Sequence, residues 1–135
     1  MNQITEWYID CIREIYQYFY EVRYDDIAFN WVLVPEYVLP KAFKQRSSAL
    51  LVETPGMNIE NYNGYRFFMN LNLNRLDGSQ GLHFIKEGWY NPYRNLGYSV
   101  LSYHLEAFNP RYPASRGDTL LTILQSLYNF LGQRW

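Results

Sequence analysis

Hydrophobic side chains recur every three or four positions over the first 22 residues of the chain. This spacing is typical of a helix with one apolar face, and it predicts an amphipathic first helix of about five turns. The positions that form the apolar stripe are Ile4, Tyr8, Cys11, Ile12, Ile15, Phe19 and Val22.

The period of the pattern changes to two between Ala28 and Arg75. The segments FNWVLV and SALLVE are rich in β-branched and aromatic residues, which favour strands. In RFFMNLNLNR, residues 66–75, one face carries Phe67, Met69, Leu71 and Leu73, and the other carries Arg66, Phe68, Asn70, Asn72 and Asn74. This alternation predicts a half-buried antiparallel strand. Asp77 and Gly78 predict a tight turn after it, and GLHFIK predicts a further strand.

A long loop and a second helix follow. KEGWYNPYRN, residues 86–95, places Gly, Pro and Asn among aromatic residues and predicts an ordered loop. Beyond GYSVLSYHLEAF and the turn-rich NPRYPASRG, Asp118 is expected to cap a last helix that ends at Gly132. The apolar face of that helix consists of Leu120, Leu124, Leu127, Tyr128 and Leu131. Residues 1–135 are therefore expected to form a single α+β domain, with an N-terminal helix, an antiparallel meander, a long loop and a C-terminal helix.

The charge balance excludes several classes of partner. The chain has 12 basic and 13 acidic residues and a formal net charge of −1, so it lacks the basic patch that a phosphate backbone requires. No apolar run reaches the roughly 18 residues of a membrane span, and the N-terminus has no signal-peptide pattern. We expect a soluble, cytoplasmic protein that binds neither nucleic acid nor membrane.

No metal or cofactor is expected from the residues that could bind one. His83 and His104 are the only two histidines, no ligand pair has zinc spacing, and phosphate and dinucleotide motifs are missing. The single cysteine, Cys11, lies on the apolar stripe of the first helix and is predicted to fill the core rather than react. His83 is interpreted as a strand residue without chemistry.

The segment GYSVLSYHLEAFNP, residues 97–110, contains the residues best suited to acid–base chemistry. Ser102 and His104 lie two positions apart, and on a strand they would share a face. Same-face neighbours on one strand are about 6.5 to 7 Å apart, which is beyond the hydrogen bond that activates a nucleophile. The pair alone does not predict a hydrolase, and no G-x-S-x-G motif is present.

Four motifs in this order resemble the prokaryotic E2-like proteins, in particular the group called prokaryotic E2 family E. They are LVPEYVLPKAFKQRSSALLVETP, YRFFMNLNLN, LSYHLEAF and GDTLLTILQSLYNFL, within residues 31–131. In that group an LP-x-x-F segment leads into an LL-x-x-x-P strand, an S-x-H strand follows, and a D-x-L-x-x-x-L helix closes the domain. The resemblance implies a ubiquitin-conjugating (UBC-like) fold, which agrees with the layout predicted from the hydrophobic pattern.

The resemblance also implies a role in a bacterial ubiquitin-like conjugation system, with a ubiquitin-like modifier and an E1-like activating enzyme as partners. Ubiquitin-conjugating enzymes carry their catalytic cysteine eight residues after the Asn of a His-Pro-Asn motif. In this chain WYN ends at Asn91, and Ser99 stands eight residues later. No thioester can form there, so two hypotheses remain: a serine that carries the acyl group as an oxyester, or a non-catalytic module that binds the modifier or the E1-like partner.

The oxyester hypothesis assigns a role to each of four residues. The nucleophile is Ser102, favoured by the S-x-H match, or Ser99, favoured by its spacing from Asn91. His104 is the base, and Asn91 donates a hydrogen bond to the oxyanion. The alternative is that the serine and histidine only hydrogen-bond neighbouring backbone at the sheet edge.

Three aromatic residues of the long loop also have two interpretations. Trp89, Tyr90 and Tyr93 either form a rim that binds a protein partner or hold the loop in place by packing their own rings. An unrelated small α+β protein is a third possibility for the chain as a whole.

Overall fold

The computed structural model describes residues 2–79, 83–85 and 88–135 of the chain. In this part of the chain two α-helices pack on an antiparallel sheet of six strands, which confirms the predicted α+β class. The helices are α1 (Gln3–Ile15) and α2 (Leu120–Leu131). The strands are β1 (Arg23–Tyr24), β2 (Trp31–Val38), β3 (Ser47–Glu53), β4 (Arg66–Asn70), β5 (Phe84–Ile85) and β6 (Tyr98–Leu101). This arrangement is consistent with the UBC-like topology.

The order of the strands is a meander only in its first part. Strands β1 to β4 lie side by side in chain order, but the sheet continues as β4-β6-β5. The weak strand predicted at GLHFIK therefore forms the edge of the sheet and pairs with β6, not with β4. Residues 81, 82 and 86 of that segment, and residues 86 and 87 of the predicted loop, lie outside the described residues.

Helix α1 is shorter than the hydrophobic spacing predicted. It ends at Ile15, after about 3.6 turns rather than five. Its core-facing residues are Trp7, Tyr8, Cys11, Ile12 and Ile15. Phe19 and Val22 lie beyond the helix and still pack into the same core. Residues that pack into a core are apolar in a turn as well as in a helix. The helical spacing of apolar residues therefore extended beyond the end of α1 at Ile15.

One face of β4 follows the predicted alternation. Phe67 and Met69 are fully buried in the core that also contains the helices. The strand ends at Asn70, so Leu71 and Leu73 come after it; Leu73 is buried in that core and Leu71 is half-buried.

The opposite face of β4 differs from the prediction. Phe68, expected among exposed polar residues, is fully buried together with Leu51 and Val100. Tyr93 of the loop between β5 and β6 packs edge-on against Phe68, with ring centroids 4.9 Å apart. The loop therefore gives this face of the sheet a small second core, which alternation along one strand could not reveal.

Helix α2 begins one residue later than predicted. Its N-cap is Thr119, whose backbone N–H donates to the hydroxyl of Thr122 at 3.0 Å. The Thr119 hydroxyl donates to the Glu14 carboxylate of α1 at 2.6 Å, which joins the two helices. Asp118, the predicted cap, instead accepts a hydrogen bond from the backbone N–H of Asn109 at 2.8 Å.

The C-terminal end of α2 is held by a buried arginine. Arg75 is 3% exposed, and its guanidinium donates to the carbonyls of Leu131 and Gln133, both at 2.7 Å. The same group lies 4.4 Å from the centre of the Trp135 ring. The last carbonyls of a helix have no intrahelical donor, so Arg75 supplies the missing hydrogen bonds and fixes the chain beyond α2.

Candidate functional site

The site is formed by the aromatic loop, residues 88–97, and by the segment that follows β6. The loop is fastened to the sheet through Glu53, the last residue of β3. One Glu53 carboxylate oxygen accepts hydrogen bonds from the hydroxyls of Tyr93 at 2.7 Å and Tyr90 at 3.1 Å. Arg66, directly across from Glu53 on β4, lies 3.8 Å from the other oxygen. One partly buried carboxylate thus fixes the position of two loop tyrosines.

The electrostatics of this cluster keep both tyrosines protonated. Burial raises the pKa of the Tyr93 hydroxyl well above its ordinary value, and the hydrogen bond to Glu53 and the negative charge of that group raise it further. The pKa of Tyr90 is raised by the same causes in the same order. Both hydroxyls therefore remain donors to Glu53 at neutral pH.

The three aromatic residues of the loop take different positions. Tyr93 is half-buried against Phe68, so it packs the loop onto the sheet. Trp89 and Tyr90 are 51% and 57% exposed, although the Tyr90 hydroxyl is bonded to Glu53. Tyr93 thus matches the loop-holding interpretation, and Trp89 and Tyr90 present large aromatic surfaces to solvent.

The amide of Asn91 holds the aromatic loop from within. Its Nδ2 donates to the Tyr98 carbonyl at 2.9 Å, and its Oδ1 accepts from the Tyr93 backbone N–H at 3.1 Å. Both ends of the side chain are used to close the loop onto the start of β6. The second N–H of the Nδ2 group is not used in these two bonds, although the loop contacts set the orientation of the amide.

Ser99 lies inside the sheet. It pairs with Met69 across β6 and β4, and it is 0% exposed. Its hydroxyl donates to the Met69 carbonyl at 3.3 Å. In this position the hydroxyl cannot meet an acyl donor unless the sheet opens.

Ser102 and His104 come together at a cleft, although not on a strand. Strand β6 ends at Leu101, and the Ser102 backbone N–H donates to the His83 carbonyl at 2.7 Å. Both side chains line a cleft of about 500 Å³ that also includes Glu106 and Ser126. Within the described ranges no hydrogen bond joins the Ser102 hydroxyl to the His104 imidazole. The structure therefore places these two residues on one cleft and places Ser99 and Asn91 elsewhere.

Cys11 is buried, as predicted from its place on the apolar stripe. The residue is 0% exposed, and burial raises the pKa of its thiol to about 12. A protonated, enclosed thiol is a poor nucleophile.

The residues that organise the site were not found by sequence reasoning. Glu53 and Arg66 stand at strand ends, where a charged side chain normally faces solvent, so no periodicity marks them. Their role follows from the pairing of β3 with β4 and from the return of the loop over both strands. The one available signal in the sequence was the position of Glu53, a charged residue directly after the buried residues of β3.

Neither a metal-binding cluster nor a membrane-spanning helix is present in the part of the chain that the structure describes. In residues 2–79, 83–85 and 88–135, no three His, Cys, Asp or Glu side chains are grouped so that they could hold a metal ion. No helix in the described part of the chain combines the length and apolarity of a membrane span.

No protein-family model, no curated protein and no solved structure matches the chain.

Proposed function

We propose that the protein is an E2-like component of a bacterial ubiquitin-like conjugation system and acts as a non-catalytic binding module. The surface around Trp89 and Tyr90 binds the ubiquitin-like modifier or its E1-like activating enzyme. The proposal combines the resemblance of the four motifs with the position of the aromatic loop.

The observation that supports a binding role most directly is the exposure of these two rings on an ordered loop. Trp89 and Tyr90 are about half exposed on a loop whose position is set by Glu53 and Asn91. Aromatic residues with a polar tip are enriched at the centres of protein interfaces. A loop that is already ordered loses less conformational entropy when it binds.

The state of the nucleophiles favours binding over acyl transfer. Cys11 and Ser99 are enclosed by the core and the sheet. Within the described residues the Ser102 hydroxyl donates no hydrogen bond to the His104 imidazole, the base that would activate it. An acyl-transfer enzyme needs an accessible nucleophile with a base in reach.

The experiment combines the protein with ATP, a bacterial ubiquitin-like modifier and the E1-like enzyme that activates this modifier. We expect intact-mass spectrometry to show the chain unmodified, and calorimetry to show binding to the modifier or the E1-like enzyme. Trp89→Ala should weaken that binding at least about tenfold, as is typical of an aromatic anchor. Ile27→Ala, which shortens an 89% exposed side chain in the β1–β2 connection, serves as the matched control and should leave binding unchanged.

Two results would contradict the binding role. One is the absence of binding to both proteins, and the other is equal loss of affinity in Trp89→Ala and Ile27→Ala. Circular dichroism of both variants shows whether either substitution unfolds the chain.

A second candidate function is supported by the shared cleft of Ser102 and His104. In this mechanism the Ser102 Oγ attacks the thioester carbonyl of the modifier carried by the E1-like enzyme. His104 takes the hydroxyl proton, the C–S bond breaks, and the E1-like thiol leaves as the modifier forms an ester with Ser102. A modifier adduct that hydroxide removes, and that Ser102→Ala abolishes, would favour this function over the binding module.

A further inference from the structure

A small pocket lies beside the exposed rings of the aromatic loop. It has a volume of about 150 Å³, and we name it the Arg66 pocket. Its walls include Asn63, Arg66, Trp89, Tyr90, Tyr103 and His104. The pocket therefore joins the start of β4, the aromatic loop and the segment after β6 in one concave surface.

The main walls of the pocket are set before any ligand arrives. The Arg66 guanidinium carbon lies 5.1 Å from the centre of the Tyr90 ring, and the Tyr90 hydroxyl is bonded to Glu53. Tyr93 holds the same carboxylate from the interior of the loop. Stacking on Tyr90 limits the positions of the guanidinium.

The size of the pocket indicates what it can accept. Sites for free small molecules and cofactors usually measure about 300 to 1,000 Å³. The volume of the Arg66 pocket is about half of the lower end of this range. The pocket therefore fits a single side chain of a protein partner.

The charged and polar groups of the Arg66 pocket indicate which kind of partner side chain it binds. The Arg66 side chain is 54% exposed, and its 3.8 Å distance from Glu53 exceeds the 2.7 to 2.9 Å of a strong charge-assisted hydrogen bond. Glu53 directs its other oxygen to the two tyrosine hydroxyls. The guanidinium therefore retains donor capacity on the pocket side, and the exposed imidazole of His104 adds hydrogen-bonding capacity on another wall.

We propose that the Arg66 pocket binds an aspartate or glutamate side chain of the protein partner, with an apolar residue beside it. The carboxylate accepts hydrogen bonds from Arg66, and the neighbouring apolar residue packs on the exposed faces of Trp89 and Tyr90. This inference deepens the proposed function and rests on it, because it names the feature of the partner that the same surface recognises.

The test uses two synthetic peptides that differ only in charge, acetyl-Leu-Glu-Leu-amide and acetyl-Leu-Gln-Leu-amide. Each is titrated into the ¹⁵N-labelled full chain, and the Trp89 indole and Arg66 side-chain signals are followed by NMR. The glutamate peptide should bind at least about fivefold more tightly, the difference that one additional charge-assisted hydrogen bond provides. Arg66→Gln should remove this preference. Arg23→Gln, an exposed arginine of β1 that is also beside a glutamate, should retain it.

Three results would overturn the proposal that the Arg66 pocket binds a carboxylate side chain. They are equal affinity for the two peptides, absence of binding by both, and an undiminished preference in Arg66→Gln. The titration needs neither the modifier nor the E1-like enzyme, so its outcome is separate from that of the proposed function. If the peptides fail while Trp89→Ala still weakens modifier or E1-like binding, the pocket assignment is wrong and the binding module stands. If the peptides behave as expected and neither protein binds, the proposed partners are wrong.

Discussion

The Tyr93 hydroxyl donates a 2.7 Å hydrogen bond to the Glu53 carboxylate and joins two residues that are 40 positions apart in the chain. This contact connects the aromatic loop to the end of β3. It also holds the loop on which Trp89 and Tyr90 are exposed, although that loop is rich in Gly, Pro and Asn.

The contribution of this bond can be measured with a double-mutant cycle. Tyr93→Phe keeps the ring that packs on Phe68 and removes only the hydroxyl, and Glu53→Ala removes the acceptor. We expect a coupling energy of about 1.5 to 3 kcal/mol in urea unfolding, the range for a hydrogen bond to a charged group. Tyr128→Phe, at a 40% exposed position, is the control and should change the free energy of unfolding by less than about 0.5 kcal/mol. A coupling energy near zero would mean that loop packing, not this bond, holds the loop.

Arg75 is expected to be among the residues most important for stability. Arg75→Met keeps much of the side-chain volume and leaves the carbonyls of Leu131 and Gln133 without their donor. We expect the free energy of unfolding to fall by about 2 to 4 kcal/mol, as for the loss of a buried charged partner. Arg23→Gln, at an exposed position, should cost less than about 1 kcal/mol in the same urea titration. Similar losses in the two variants would contradict the capping role of Arg75.

Cys11 should be inert in the folded protein. Burial raises the pKa of the thiol to about 12, so the thiol is protonated at pH 7, and the sulfur is enclosed by the core. Ellman's reagent should therefore label Cys11 only when urea unfolds the chain. Cys11→Ser should leave partner binding intact and cost about 1 to 3 kcal/mol, since it buries a hydroxyl in place of a thiol. Rapid labelling under native conditions would show that α1 opens.

Stability should decrease at alkaline pH. Burial raises the pKa values of Tyr8, Tyr37 and Tyr65 above the ordinary value near 10. Above pH 10 the unfolded chain loses phenolic protons that the folded protein retains, so the free energy of unfolding falls as pH rises. The three groups together give a slope of about −4 kcal/mol per pH unit, and Cys11 adds to it from about pH 8.5 upwards.

This slope can be assigned to particular residues by urea titrations between pH 7 and 11. Tyr37→Phe should make the slope above pH 10 shallower by about 1.4 kcal/mol per pH unit, because it removes one buried phenol. Tyr20→Phe, at an 88% exposed position, should leave the slope unchanged. Stability that stays constant up to pH 11 would contradict the burial of these hydroxyls.

The two serines are expected to respond differently in the conjugation assay. Ser99 is enclosed by the sheet, so Ser99→Ala should leave any hydroxide-labile adduct unchanged. Should an adduct form, Ser102→Ala should abolish it, and His104→Ala should slow its formation by about 10² to 10⁴, the usual contribution of a positioned base. An adduct that survives Ser102→Ala and disappears in Ser99→Ala would reverse this assignment.

The hydrophobic pattern determined the main elements of the fold. Helix α1, strands β2 to β4 and helix α2 were predicted because a face buried in the main core leaves a period of 3.6 or 2 in the sequence. Strands β3 and β4 also bury Leu51 and Phe68 on the opposite face. The burial of Cys11 followed from the same pattern. The end of α1 and the cap of α2 were misplaced, since Phe19 and Val22 are apolar for the core and Thr119 competes with Asp118 as a capping residue.

The candidate site was decided by the tertiary structure. Sequence motifs selected the loop and the segment after β6, but they could not tell that Ser99 lies inside the sheet while Ser102 borders a cleft. They also gave no reason to connect Glu53 with Tyr93 or Arg75 with Leu131. Periodicity records only whether a side chain is buried, whereas these polar contacts join distant parts of the chain and exist only once β3, β4, the loop and α2 are brought together.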